Sequence, residues 1–191
     1  MYGDESPIYG NTLPGKARAR RGQKVVKARH RYSKKYVLHM YASKKRVVYW
    51  ELASKNAGDA EIKRIAVEGV LPEMEEGEKL FWDQLGRSGR AKNPNKQHFN
   101  PEVAAEFEDA SMEVVMLPAP GHILDPMELL FNDLKEHHIK PAYDPSGKEL
   151  SKEKLDQIIE EYVENEAPNN LPGFFAKRAN GKELEDLGLL D

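Results

Sequence analysis

The chain has 191 residues, no cysteine, and 29 basic against 32 acidic side chains, a net charge of −3. That length buries a sizeable core, so one domain with an appendage is the default. Without cysteine there is neither a disulfide framework nor a thiolate metal site. No apolar run is long enough to span a bilayer, and the N-terminus has no signal-peptide pattern, so a membrane is not an expected partner. The distribution of charge says more than its sum. Thirteen Lys or Arg and no acid lie between Lys16 and Arg46, while the region after Asp144 is mainly acidic. Such asymmetry points to a basic face for polyanions, nucleic acid above all; a solvated loop and two strands with charged outer faces is the plainer reading.

Taken in order, Tyr2, Asp4 and Ile8 hint at a strand punctuated by Gly10-Asn11. Thr12 to Tyr32 has no period and reads as an extended basic segment. Lys35–Tyr41 and Arg46–Leu52 are β-branched and aromatic runs separated by Ala42-Ser43-Lys44-Lys45, which predicts a hairpin. Asp59 is placed to cap a helix carrying Ile62, Ile65, Ala66 and Val70, and Pro72 ends it. Lys79–Trp82 predicts a buried strand ending at Asp83. Gln84–Gln97 holds Arg87, Arg90, Lys92 and Lys96 with almost nothing apolar, a basic surface loop. Pro101 opens a short helix with Val103, Ala104 and Phe107 inward.

The stretch Glu113–Glu136 organises the rest. Val114–Leu117 reads as a strand, stopped by Pro118 and Pro120. Asp125 then supplies an N-cap, Pro126 the first helical position, and Met127, Leu130, Phe131 and Leu134 an inward face. Ser151 caps an amphipathic helix with Leu155, Ile158, Ile159, Tyr162 and Val163 inward. Asn169–Gly181 reads as a loop, with Leu171, Phe174 and Phe175 docking on the core. The expected architecture is α/β, a mixed sheet flanked by helices.

Three carboxylates stand in comparable places: Asp4 in the first strand, Asp83 at the end of the fourth, and Glu128 in the first turn after the fifth. Neighbouring parallel strands bring the first two together, and the loop after the fifth delivers the third to the same rim. Three such anions repel unless protons or cations intervene. Hard oxygen ligands with open positions suit Mg²⁺ or Mn²⁺, and two such ions can clamp both oxygens of a phosphodiester displacement. Each acid also has a plainer reading. Glu128 completes an Asp-x-x-Glu capping box with Asp125, Asp83 is a strand-end residue accepting backbone bonds, and Asp4 lies near a chain end. The six histidines show no metal-ligand spacing and read as surface or phosphate-facing groups.

Asp4-Glu5-Ser6 followed by Arg20-Arg21-Gly22-Gln23 resembles the first acidic motif and downstream turn of DDE transposases of the Tc1/mariner and IS630-like superfamily. Phe81-Trp82-Asp83-Gln84 is similar to its second motif. Leu117-Pro118 through Asp125-Pro126-Met127-Glu128 to Leu134-Lys135 is similar to its third. The resemblance covers about residues 1–140 and departs at Asp125 (usually Asn), at Gln84 (usually Asn), and in the forty-four residues separating Asp83 from Glu128. It implies an RNase H-like mixed five-stranded sheet over 1–140, its first strand clipped, with 141–191 as a C-terminal helical extension packed on the core. It further implies DNA strand cleavage and strand transfer with two Mg²⁺ or Mn²⁺ ions, Asp4 bridging both and Asp83 and Glu128 each completing one site. DNA is the expected partner, met by Lys16, Arg18, Arg20, Arg21, Lys24, Lys27, Arg29, Arg31, Arg87, Arg90 and Lys92. A homodimer is common in that superfamily, and the work would be nuclear in a eukaryote and cytoplasmic otherwise. Two other readings share these residues: a relic that binds nucleic acid without catalysis, and an RNase H-like enzyme acting on RNA or branched DNA.

Overall fold

Five apolar or alternating runs pair into one sheet in the computed structural model, which describes residues 1–11, 34–54, 58–83, 101–117, 124–144 and 148–178. The strands are β1 (Tyr2–Tyr9), β2 (Lys35–Ala42), β3 (Val47–Ala53), β4 (Lys79–Asp83) and β5 (Glu113–Leu117). The helices are α1 (Asp59–Arg64), α2 (Pro101–Asp109), α3 (Met127–Asp133), α4 (Lys152–Asn165) and α5 (Ala167–Arg178). Wider π-type turns continue α1 through Ile65–Val70 and α3 through Leu134–Ile139. Each ends in a short 3-10 turn holding a proline, Pro72 or Pro141, which cannot extend a helix.

The sheet order is β3-β2-β1-β4-β5, which puts β1 at the centre. β1 pairs antiparallel with β2 along its whole length, from Tyr2 opposite Ala42 to Tyr9 opposite Lys35. It pairs parallel with β4, Tyr2 beside Phe81 and Gly3 beside Trp82. β4 and β5 are parallel, from Lys79 beside Glu113 to Asp83 beside Leu117, and α2 makes the crossover that parallel neighbours require. The expected hairpin is β2–β3, with an irregularity between Tyr41 and Ala42.

Helices cover both faces. On one, Ile62, Ile65, Ala66 and Val70 from α1 and its extension, with Val103 and Phe107 from α2, pack on Tyr41, Leu80 and Trp82. On the other, Met127, Leu130, Phe131 and Leu134 join Leu155, Ile159, Tyr162, Leu171 and Phe175 over Tyr2, Ile8, Leu38 and Met40. β2 is therefore buried on both sides, which is why its sequence is nearly continuously apolar. The Tyr2 ring stacks on Phe81 at 4.8 Å and meets the edge of Phe175 at 5.4 Å, so α5 is tied directly to the central strand.

Two local expectations are corrected. Residues 169–178, read as loop, belong to α5. Asn-Asn and Pro-Gly are poor helix formers, but Ala167, Leu171 and Phe175 lie one turn apart and are all buried, and their packing outweighs propensity. The cap of α1 is Gly58 rather than Asp59: the Gly58 carbonyl accepts from Glu61 and Ile62 N–H. Ser151 caps α4 as expected, accepting from Lys154 N–H at 3.2 Å.

Candidate active site

Alternation along β1 sends Tyr2, Asp4, Ser6 and Ile8 to the α3 face and Gly3 and Glu5 to the other. Asp4 is half-buried, and its Oδ1 accepts the Glu5 N–H at 2.7 Å. Asp83 closes β4 directly after Trp82, and Asp4 follows Gly3 on β1, so each acid comes next after the last β1–β4 pair. The Asp83 side chain lies outside the described residues.

Glu128 stands in the first turn of α3, whose opposite face is pinned to the core by Met127, Leu130 and Phe131. Asp125 is almost wholly buried, and its Oδ1 accepts the Met127 N–H at 2.8 Å. Half of the expected capping box is thus made, with the helix beginning one residue later than read. Among the described residues Glu128 returns no bond to complete it, and its carboxylate faces outward. The extra negative charge that Asp125 brings is directed at the helix start and at Tyr2, whose hydroxyl is pushed up by burial first and by Asp125 second.

Lys135 ties the extension of α3 to the central strand. From the extension of α3 its ammonium donates to the buried Ser6 Oγ at 2.5 Å and stands 5.9 Å from the Phe131 ring centre. Burial holds its pKa below the ordinary lysine value, while the charges of Glu128 and Asp4 both pull it back up. One ammonium therefore feels an acid from the central strand and an acid from α3. The carboxylates of Asp4 and Glu128 are hard oxygen donors of the kind that Mg²⁺ or Mn²⁺ takes. Among the described residues no group of three metal-binding side chains forms.

The opposite face of the sheet holds a second charged row that the sequence does not announce. Glu5, His39 and Glu51 lie opposite one another on β1, β2 and β3. His39 Nδ1 is 3.7 Å from Glu5 Oε2, and the imidazole is almost fully buried, which corrects its reading as a surface group. Arg64 Nη2 donates to both Glu51 oxygens, at 2.8 and 2.6 Å, and to Glu61 at 2.6 Å, while Tyr49 donates to Glu51 at 2.7 Å. The signal was the cross-strand register, invisible before the strands are paired. His138 also departs from a surface reading, packing its ring 4.7 Å from Tyr162. The expected DNA-contacting residues Lys16, Arg18, Arg20, Arg21, Lys24, Lys27, Arg29, Arg31, Arg87, Arg90 and Lys92 fall outside the described residues.

A central antiparallel–parallel strand, an order of β3-β2-β1-β4-β5 and helices on both faces define an RNase H-like fold. Among solved structures the chain is similar to Mos1 mariner transposase, a DDE transposase of the Tc1/mariner group. The Mos1 paired-end complex with left transposon end matches 98% of this chain and 53% of its own, at 18% identity and a TM-score of 0.66. The paired-end complex with Mg matches 92% of this chain at 18% identity, TM-score 0.62. The isolated Mos1 catalytic domain matches 94% of this chain and 80% of its own, at 16% identity and a TM-score of 0.57. The chain thus spans about half the length of the Mos1 chains in the DNA complexes and most of the catalytic domain. No protein-family model matches the chain, and no curated protein matches it. At these identities the likeness is one of fold, and the resemblance first seen in the three acidic motifs holds at that level.

Proposed function

We propose that residues 1–140 form the catalytic domain of a DDE-type DNA transposase or integrase-like nuclease, and that 141–191 extend it. The observation that carries this reading is a sheet of RNase H-like order with Asp4 on its central strand and Glu128 in the first turn of α3, the helix whose extension meets that strand through Lys135 and Ser6. Asp83, which follows the last β1–β4 pair on its strand as Asp4 does on β1, is the third acid of the proposed set. The three carboxylates would hold two Mg²⁺ or Mn²⁺ ions, which supply a nucleophile at neutral pH and neutralise charge developing on the phosphate. This chain's part is to position the acids: β1 is held on both edges, and α3 is held by its buried face, so the backbone that carries each acid is fixed to the core. DNA is the proposed substrate and partner, with the Lys16–Arg31 segment and the Arg87–Lys92 loop on its phosphates; a homodimer, nuclear in a eukaryote and cytoplasmic otherwise, is part of the same proposal. The DNA complexes and the Mg and Mn complexes among the similar structures support it.

The test is nicking of supercoiled DNA and joining of a 3′-hydroxyl end, with Mg²⁺ or Mn²⁺. Asp4→Asn, Asp83→Asn and Glu128→Gln are each expected to lower the rate roughly a hundredfold or more while leaving the unfolding transition in place. Unimpaired nicking by any of the three overturns the assignment of that acid. DNA binding without Mn²⁺ binding or nicking points instead to a relic that retains only its basic surface.

A further inference from the structure

We propose that Lys135 is the built-in counter-ion of this acid site, balancing Asp4 and Glu128 when no divalent cation is bound and opposing the entry of that cation. The inference rests on the metal-binding reading of the acids and goes beyond it. Lys135 follows Glu128 by seven residues, two helical turns, on one continuous helical segment. Helical side chains lean toward the N-terminus, so its stem runs back past Phe131 toward the turn that carries Glu128. Its head is anchored on Ser6, which lies two residues beyond Asp4 on the same face of the same strand.

Taking an ammonium partly out of water is costly unless anions offset it. Burial remains the larger effect on Lys135; Glu128 and then Asp4 offset part of it, with Lys140 opposing them and Glu136 a lesser aid. The same geometry works against a divalent cation, because the ammonium already occupies part of the acids' field and Ser6 holds it there. Lys135 is therefore a positioning residue: it keeps two like charges in place before the metal arrives and weakens the metal's hold afterwards.

The experiment is calorimetric Mn²⁺ titration of wild-type and Lys135→Met protein without DNA, combined with thermal unfolding of metal-free Lys135→Met, Glu128→Gln and the double variant. Lys135→Met is expected to bind Mn²⁺ about tenfold more tightly, the size of a nearby charge's effect on an equilibrium. Its melting-temperature loss without metal is expected to shrink by roughly half when Glu128 is also neutralised, since the two charges are coupled. Lys135→Arg, which keeps the charge, is expected to bind Mn²⁺ as wild type does, and Lys135→Gln serves where Met does not fold. Equal or weaker Mn²⁺ binding by the neutral variants of a wild type that binds overturns the counter-ion role and leaves the metal reading standing. Absence of Mn²⁺ binding in the wild type sinks the metal reading instead. In that event strictly additive losses in the metal-free cycle overturn the pairing of Lys135 with Glu128, and coupled losses uphold it.

Discussion

Single residues set the electrostatics of both sheet faces. On the face away from the acid site, burial works against the Glu51 carboxylate, but hydrogen bonds from Arg64 and Tyr49 outweigh it and hold its pKa below the ordinary value. A carboxyl depressed by folding stabilises the native state above its unfolded pKa, and that contribution is lost as pH falls through the folded one. Arg64→Met is therefore expected to cost about 1 kcal/mol at pH 7, a figure already reduced for the guanidinium's partial exposure. The difference from wild type should narrow once the pH drops below the ordinary carboxylate value, as urea unfolding at pH 7 and pH 3 would show. Gly3 is a second single-residue constraint. A Cβ there would fall 2.3 Å from Tyr41 Cδ1, and the buried Tyr41 ring is itself held edge-on by Trp82 at 5.4 Å. Gly3→Ala is expected to lower stability by about 1–3 kcal/mol, measured by thermal or urea unfolding.

Among elements, α3 is the hinge between site and scaffold. Its outer turn presents Glu128, while its last residue, Asp133, accepts from the Tyr162 hydroxyl of α4 at 2.9 Å and from Asn170 of α5 at 3.0 Å. The C-terminal helices thus hold the helix that carries a proposed catalytic acid. α5 closes this layer through Leu171 and Phe175 against the core beneath. Phe175→Ala is expected to cost about 3 kcal/mol, because the cavity opens beside Tyr2 on the central strand. Equilibrium unfolding measures that loss. A nicking assay should show a further fall at temperatures where the wild type is still fully folded.

At the scale of the whole molecule, the N-terminal half of the sequence is basic and the C-terminal third acidic. If the basic segment meets phosphates, DNA affinity should fall linearly on a log–log plot against salt, with a slope near −0.9 for each phosphate neutralised. Filter binding from low to moderate salt reads that slope, and a flat line would remove the segment from the interface.

Strand and helix positions were legible because their cause is local. Val114–Leu117, Lys79–Trp82 and the hairpin runs are apolar over a few consecutive residues, and Leu155–Tyr162 repeats at the helical period. The acidic motifs were legible for the same reason, each being a short string at the end of an element. Other features follow from pairing across long separations. Lys135 meets Ser6 over 129 positions, His39 is buried only because β1 and β3 flank β2, and α5 is helical only because a core waits beneath its apolar stripe. Sequence by itself determined the periodicities, the Ser151 cap and the candidate acids. Tertiary structure alone decided which charges share one dielectric pocket, because Coulomb energy depends on distance through folded space and not on distance along the chain.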